Sequence, residues 1–481
     1  MIWAEYEPLA ASEAMAATAV AYGENVSVRP NFIEADVILA LDADFLDSSE
    51  TGPSYAVDFY TRRKPDQEAR GMNRLYVVEN HYTTTGGLAD HRLRVRACEM
   101  GAFLAAISGA VAELTGNSAL GSVAAKFPSE SVAFDKAWVT ECAKDLVHSK
   151  GHALVLVGAQ QPAAVQALGY ALNEALGVNG TTLIGYTSEA KAPATIEALA
   201  AAIQNKSVET LIILGGNPVY NAPANLAFGE LLASVPSTMH LSFYEDETSK
   251  KCNWVVPAAH YLETWGDVRS LDGTHTSIQP MILPLWDGLG QLDIIAQLAG
   301  RAKPVGPEIV RETFQKKVSI TGSALDAAWN EYVRTGFLAD SAYAKAPLSF
   351  NAAAVTSLIA TYQPSPADGA ELVFLKSSSV DDGRYANNSW LQETPDFVTK
   401  LTWDNAALVS PADAEKLGIK DGDMLEVSAG DTRLECAALV APGHADDSVS
   451  IALGYGRKDV SALMQGVGFD AYPLRTATTP R

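Results

Sequence analysis

Residues 151–176, GHALVLVGAQQPAAVQALGYALNEAL, read as a strand, a glycine turn and a helix. The strand is apolar throughout rather than alternating, which is the pattern of a strand covered on both faces. Related units recur along the first three hundred residues. ADVILALDADFL (35–46) is a buried strand ending in carboxylates, NRLYVVEN (73–80) is another, and ACEMGAFLAAISGAVAEL (97–114) reads as an amphipathic helix. VETLIILGGNPVYNAP (208–223) repeats strand then glycine turn, and PSTMHLSFYEDET (236–248) and NWVVPAAHYLE (253–263) add two more strands. This order predicts an α/β fold of parallel sheets with helices on both faces, whose ligands sit at the carboxyl ends of the strands.

Residues 301–350 read as mainly helical, and TYQPSPADGAE (361–371) is a cluster of turn formers that marks a boundary. Beyond it the pattern changes to short strands between turns: ELVFLKSS, NAALVS, DMLEVSAGDTRLECAALVAP and DSVSIALGYG, with SPADAEKLGI as one helix among them. The expected organisation is an α/β region over 1–360 in two subdomains, a linker at 361–370, and a compact C-terminal β-barrel domain over 371–481.

A chain of 481 residues exceeds one simple core. Its formal net charge of −22 makes it a poor nucleic-acid binder, because phosphates would repel it. No apolar run is expected to reach the ~18 residues of a membrane span, and the start shows no signal-peptide pattern. The cysteines, Cys98, Cys142, Cys252 and Cys436, form no CxxC pair. Four buried free thiols are expected, with no iron–sulfur cluster and no structural zinc on this chain.

One stretch concentrates reactive side chains. VVPAAHYLETWGDVRSLDGTHTSIQP (255–280) carries His260, Glu263, Trp265, Asp267, Arg269, Asp272 and His275. A zinc site of the HxxEH type would need a histidine where Thr264 stands. A Glu–Asp–His set is adequate for acid–base catalysis, but nothing marks a nucleophile or a substrate. The third reading is a structural loop in which Trp265 packs and Asp267 pairs with Arg269. Two glycine turns, GAQQP (158–162) and GGNP (215–218), would let a backbone approach a phosphate, although neither is a GxGxxG or P-loop signature.

The order of these pieces resembles the molybdopterin oxidoreductase superfamily. The residues concerned are LYVVENHYTTTGGLADHRLRVRACE (75–99), LIILGGNPVYNAP, DETSKKCNWVVPAAHYLETWGD and ALVSPADAEKLGIKDGDMLEVSAG. A closer resemblance is to the molybdopterin-oxidoreductase-like iron–sulfur subunits of bacterial alternative complex III. It is carried by ADVILALDADFL, MNRLYVVEN, NPVYNAPANLAF, YEDET, VVPAAHYLETWGD, NNSWLQETPDFVTKLTWDN, ALGYGR and GVGFDAYPLR.

That resemblance implies a non-catalytic scaffold within a quinol-oxidising respiratory complex on the periplasmic side of the bacterial inner membrane. It implies a molybdopterin guanine dinucleotide cleft that is empty, and iron–sulfur clusters on a ferredoxin-like portion that would follow residue 481. The implied partners are that portion and the membrane quinol-oxidising and haem-bearing subunits. The α/β region would be truncated at its start, and a residue donating a metal ligand would lie upstream of Val37. Stretch 255–280 would line the cleft, with Asp267 and Asp272 opposing an anionic cofactor. Gly158, Gly215, Gly216 and Asn217 would be vestigial cofactor contacts, with no catalytic or metal-ligating residue. The rival expectations are an active bis-molybdopterin guanine dinucleotide oxidoreductase and a soluble nucleotide- or anion-binding protein.

Overall fold

The computed structural model describes residues 1–9, 12–47, 53–65, 71–128, 134–187, 193–364, 369–458 and 460–477. Part of the expected linker, 365–368, thus lies outside the described residues. The first sheet runs His91–Arg94, Arg74–Glu79, Val37–Leu41 and Ala153–Val157, all parallel. Its central strand explains the unbroken apolar pattern. Val37, Leu39 and Leu41 pack with Phe103, Leu104 and Ile107 of the helix Met100–Thr115 and with Leu168 and Leu172 of the helix Ala163–Ala175. Ile38 and Ala40 point the other way, into Phe32, Phe45, Tyr55 and Phe59. Both sets of side chains leave water, so an alternating strand would bury polar groups here.

The helix Met100–Thr115 is less amphipathic than its sequence suggested, since ten of its residues are buried. With the turn before it, Ala97–Thr115 is long and apolar enough to cross a membrane by length and composition, which corrects the expectation that no segment would be. In this fold it supplies the core between the first sheet and the helices Lys136–His148 and Ala163–Ala175.

A second parallel sheet is formed by Thr210–Leu214, Ser237–Ser242 and Trp254–Pro257. Two antiparallel sheets escaped the sequence reading. Leu183–Thr187 pairs with both Val26–Pro30 and Lys345–Ala346, and Gly266–Arg269 pairs with His275–Ile278 as a hairpin. The helices Gly306–Val318 and Ser323–Thr335 lie beside that hairpin, where Trp265 joins a cluster with Phe314 and Tyr332.

The C-terminal strands form one mixed sheet in the order Glu371–Leu375, Ser448–Ala452, Ala407–Val409, Thr432–Val440, Met424–Ala429. Among the described residues it is an open half-barrel with two edges, rather than the closed barrel expected. Its first two strands are parallel, and so are Ala407–Val409 and Thr432–Val440. A parallel pair needs a crossover. The helix Pro411–Leu417 lies in that connection, capped by Ser410, whose hydroxyl accepts from the Asp413 N–H, and ended by Gly418 in the left-handed region.

The first sheet and the half-barrel are locked together at Asn80, whose side chain is fully buried. Its amide donates to Glu371 Oε1 (2.7 Å) and Ser448 Oγ (2.6 Å), and its Oδ1 accepts from Ser450 Oγ (3.0 Å). Glu371 also accepts from the N–H groups of Ala97 (2.7 Å) and Cys98 (2.8 Å). Replacing Asn80 with alanine removes three buried side-chain hydrogen bonds, each worth about 1 kcal/mol net. We therefore expect Asn80→Ala to lower the unfolding free energy by about 3 kcal/mol in urea titration. A loss below about 1 kcal/mol would show that this junction does not carry the assembly.

Candidate functional site

A cleft of about 740 Å³ lies between the two sheets joined at Asn80. On one side are the loops that leave three parallel strands: Asp42–Phe45, His81–Thr84 and Gly158–Gln161. Opposite them stand Lys376–Ser379, Asp396–Thr399 and Leu439–Pro442 from the C-terminal region. The cleft is therefore where a parallel sheet places ligands.

Each loop has a local reason for its shape. Asp42 takes a left-handed backbone, φ 52°, and its carboxylate accepts from Gln161 Nε2 at 2.7 Å. Gly158 is required there, because a Cβ would meet the Asp42 carbonyl oxygen at 1.8 Å. The His81–Thr84 loop is folded back by Glu79, which accepts from Thr83 Oγ1 and Arg92 Nε, both at 2.5 Å. Gly86 lets that carboxylate in, since a Cβ would fall 1.8 Å from Glu79 Oε1. Burial holds the Glu79 carboxyl above its ordinary range, against the opposing pull of Arg92.

The lining is acidic. Asp42, Asp44, Asp47, Asp396 and Asp404 all border the cleft, and among its described residues Lys376 is the one lysine or arginine. Lys376 is itself paired with Asp381 at 3.5 Å. Burial would raise Asp396, but the Thr399 and Val398 N–H groups and the Ser378 hydroxyl outweigh it and hold the carboxyl below its usual range. Burial pushes Asp404 up. His81 is pushed down to about 3, chiefly by burial and then by His444 and Arg92, so it adds no positive charge near neutral pH. Its Nδ1 is buried without a hydrogen-bond partner.

Of the residues singled out in sequence, Gly158 lines this cleft and Gly215, Gly216 and Asn217 do not. Gly215 and Gly216 take φ of 83° and 77°, and the Gly216 carbonyl meets His240 Nε2 at 3.0 Å. Asn217 donates to Glu247 Oε2 (2.7 Å), and Glu247 pairs with Arg457 at 2.5 Å, forming a second tie to the C-terminal region. Burial would raise Glu247, yet Arg457 and Asn217 more than offset it and leave it below the usual carboxylate range. The polar groups that sequence reasoning missed are Asp396, Asp404 and Ser377–Ser379, which lie more than 200 residues from the first-sheet loops and carry no local signature.

No residue of 255–280 lines the cleft, which corrects the placement implied by the resemblance. The stretch leaves the second sheet and enters the separate hairpin region. The expected Asp267–Arg269 pair is also corrected. His275, stacked on Tyr332 at 5.6 Å, brings its Nε2 to 3.1 Å from Asp267. Arg269 instead donates to the Gly273 carbonyl (2.8 Å) and lies over the Tyr343 ring at 4.8 Å. Asp272 accepts from Ser270 Oγ and the Thr274 N–H within its own turn, and approaches Arg29 at 3.8 Å. Glu263 accepts from the N–H groups of His260 (2.9 Å) and Leu285 (3.1 Å).

Among the described residues, no group of three or more His, Cys, Asp or Glu is placed to hold a metal. All four cysteines are free thiols. Cys142 and Cys436 are buried, whereas Cys98 and Cys252 are only half-buried, against the expectation for all four. Burial pushes Cys98 up to about 12 and Cys436 to about 11.

A family model described as the molydopterin dinucleotide binding domain matches residues 382–472, within the half-barrel region. The menaquinone reductase molybdopterin-binding-like subunit of Nitratidesulfovibrio vulgaris is 24% identical over 438 residues, covering 82% of this chain and 61% of that protein. The chain thus spans about three-fifths of that relative's length. The molybdopterin-containing subunit of the thiosulfate reductase of Salmonella typhimurium is 36% identical over 62 residues, 13% of this chain and 8% of that one. Among solved structures, acetylene hydratase from Pelobacter acetylenicus matches with a TM-score of 0.69 at 14% identity, covering 98% of this chain and 77% of that one; the likeness is one of fold. These likenesses are to molybdopterin oxidoreductases, through a dinucleotide-binding domain in the C-terminal region and a shared fold over nearly the whole chain.

A molybdopterin dinucleotide site in the cleft is what the matched domain suggests. Its pyrophosphate is anionic and needs cations or convergent N–H donors. The charged groups of the lining are five carboxylates and one already paired lysine, beside the hydroxyls of Ser377–Ser379, Thr83 and Thr84, so its net charge opposes an anion.

Close to the second tie, burial raises Asp470 from 3.8 to about 7. Unfolding releases it to ionise at about 3.9. Between those values the folded chain binds more protons, so this group's contribution to stability falls as pH rises through that interval and then levels. Asp470→Asn keeps an oxygen to accept from the Tyr472 N–H, which is 3.1 Å away in the wild type, and abolishes the titration. Melting temperatures from about pH 4 to about pH 8 should show the variant gaining on the wild type as pH rises, with a constant difference counting against a raised Asp470.

Proposed function

We propose that this chain serves in a quinol-linked respiratory complex as a molybdopterin-oxidoreductase-like scaffold that does not turn over substrate itself. It holds an iron–sulfur electron-transfer portion and neighbouring subunits in register, on the periplasmic face of a bacterial inner membrane, as in alternative complex III. One observation carries the non-catalytic part of the reading: the acidic cleft. Charges of one sign lining a partly enclosed site repel a ligand of the same sign, and the low local dielectric strengthens that repulsion. The relative named as a menaquinone reductase subunit supports the quinol-linked setting. The absence of paired cysteines in the sequence supports placing any clusters on a partner portion.

Several of the cleft's carboxylates are held by donors of the protein itself. Asp42 is held by Gln161, Asp44 by Thr85 at 2.5 Å, and Asp396 by its own turn. These carboxylates have protein donors, so the loops need no ligand to satisfy them.

The active-enzyme reading is separated by metal analysis of the protein purified from its own host. We expect molybdenum and tungsten far below one atom per chain. Pyrophosphate or guanosine diphosphate at millimolar concentration should leave the melting temperature unchanged, because a ligand that does not bind the folded state cannot stabilise it. Near-stoichiometric metal would overturn the scaffold reading. A concentration-dependent rise with guanosine diphosphate alone would favour the nucleotide-binding alternative.

A further inference from the structure

The segment MILPLWDGLG (281–290) holds its apolar side chains outward. Met281, Leu283, Leu285 and Trp286 are 78%, 84%, 67% and 84% exposed. Tyr261 and Phe243, 61% and 60% exposed, lie on segments joined to it. The Met281 N–H donates to the Leu262 carbonyl (2.7 Å), and the His260 ring, beside Tyr261, sits 6.0 Å from that of Phe243.

This is a built surface. At one end Glu263 accepts from the Leu285 N–H (3.1 Å). At the other, the Leu289 N–H donates to the Pro257 carbonyl (2.9 Å) and its carbonyl accepts from the Ala259 N–H (3.0 Å). Gly288 permits that approach, as a Cβ would lie 2.8 Å from the Ala259 nitrogen. The polar side chain Glu263 of the 255–280 stretch thus pins an apolar ledge.

We propose that this ledge docks a different protein chain whose contact face is apolar at its centre and basic at its rim. Large exposed aromatic and aliphatic side chains, rather than singly scattered ones, are the kind of surface that marks a contact site. Charge selects the occupant. No charged residue lies within 281–286, while Glu245 and Asp287 are exposed next to the ledge. A second copy would bring another net charge of −22 to the contact, and an anionic bilayer would repel it likewise. A basic-rimmed protein meets both the apolar centre and the acids beside it. The ledge lies outside the cleft, so this proposal stands or falls independently of the cleft's ligand.

The test introduces Leu283→Asp, and separately Leu283→Ser, into the full protein in its own host. After mild detergent extraction, the wild type should migrate in an assembly larger than its own denatured polypeptide. Both variants should shift to the free chain, with the melting temperature of the purified protein unchanged. Raising salt from about 50 mM to about 500 mM should weaken the wild-type assembly, as screened charge pairs require. Unchanged migration of both variants would overturn the proposal. So would a dimer of the purified chain in light scattering that Leu283→Asp dissolves, since a second copy is then the occupant. Sedimentation of the wild type, but not the variant, with phosphatidylcholine or phosphatidylglycerol vesicles would overturn it in favour of lipid.

Discussion

A single buried asparagine governs how the two halves of this chain meet. Asn80 follows the strand Arg74–Glu79, and its side chain reaches Glu371 and Ser448 on two neighbouring strands of the half-barrel. Its backbone completes the contact, because its carbonyl accepts from the Ala445 N–H at 2.8 Å and its N–H donates to Asp42 Oδ1 at 3.2 Å. An amide suits this position for a physical reason. It offers donors to a carboxylate and an acceptor to a hydroxyl within one rigid plane. A buried network of this kind stabilises only one relative placement of its members, since any slip leaves polar atoms unpaired in a low dielectric. The cleft is therefore as fixed as the junction beneath it.

Fixed walls make the cleft's charge meaningful. A mobile acidic loop could swing away from an incoming anion. Here Asp42 is locked between Asn80 and Gln161, and Asp396 by donors of its own loop and by the Ser378 hydroxyl. Gly158 illustrates how similar residues serve different ends. A glycine after a strand in this fold class invites a phosphate reading, yet here the space a Cβ would need is filled by the Asp42 backbone. The glycine serves close packing of two loops.

Much of the fold was legible because its signals are local. Val37–Leu41 and Ala153–Val157 are apolar at every position, and the structure buries both faces of the central one. Val26–Pro30 was not legible: VSVRP is five half-buried residues containing a proline, and its partner lies some 150 residues later. The half-barrel's strands were visible, but whether a sheet closes depends on pairing between distant strands, which alternation does not encode. The site was legible in part. Carboxylates at the end of ADVILALDADFL were evident, whereas the opposing Asp396 and Asp404 belong to a loop region without regular pattern. Asn217 stood in a motif suggestive of nucleotide contact and turned out to anchor Glu247 beside Arg457.

The reactive-looking stretch 255–280 shows why residue content alone misleads. Its acids, histidines and arginine could be drawn as a catalytic set. The hairpin register separates them into private contacts: Asp267 with His275, Arg269 with the Gly273 carbonyl and Tyr343, Asp272 with its own turn. Glu263 reaches forward out of the stretch, to the backbone of the apolar segment after it. A carboxylate that accepts two backbone N–H groups costs a chain little when half-exposed, and it fixes a loop that would otherwise collapse its leucines and tryptophan onto the nearest apolar surface. The loop is instead held open, with its apolar side chains toward solvent.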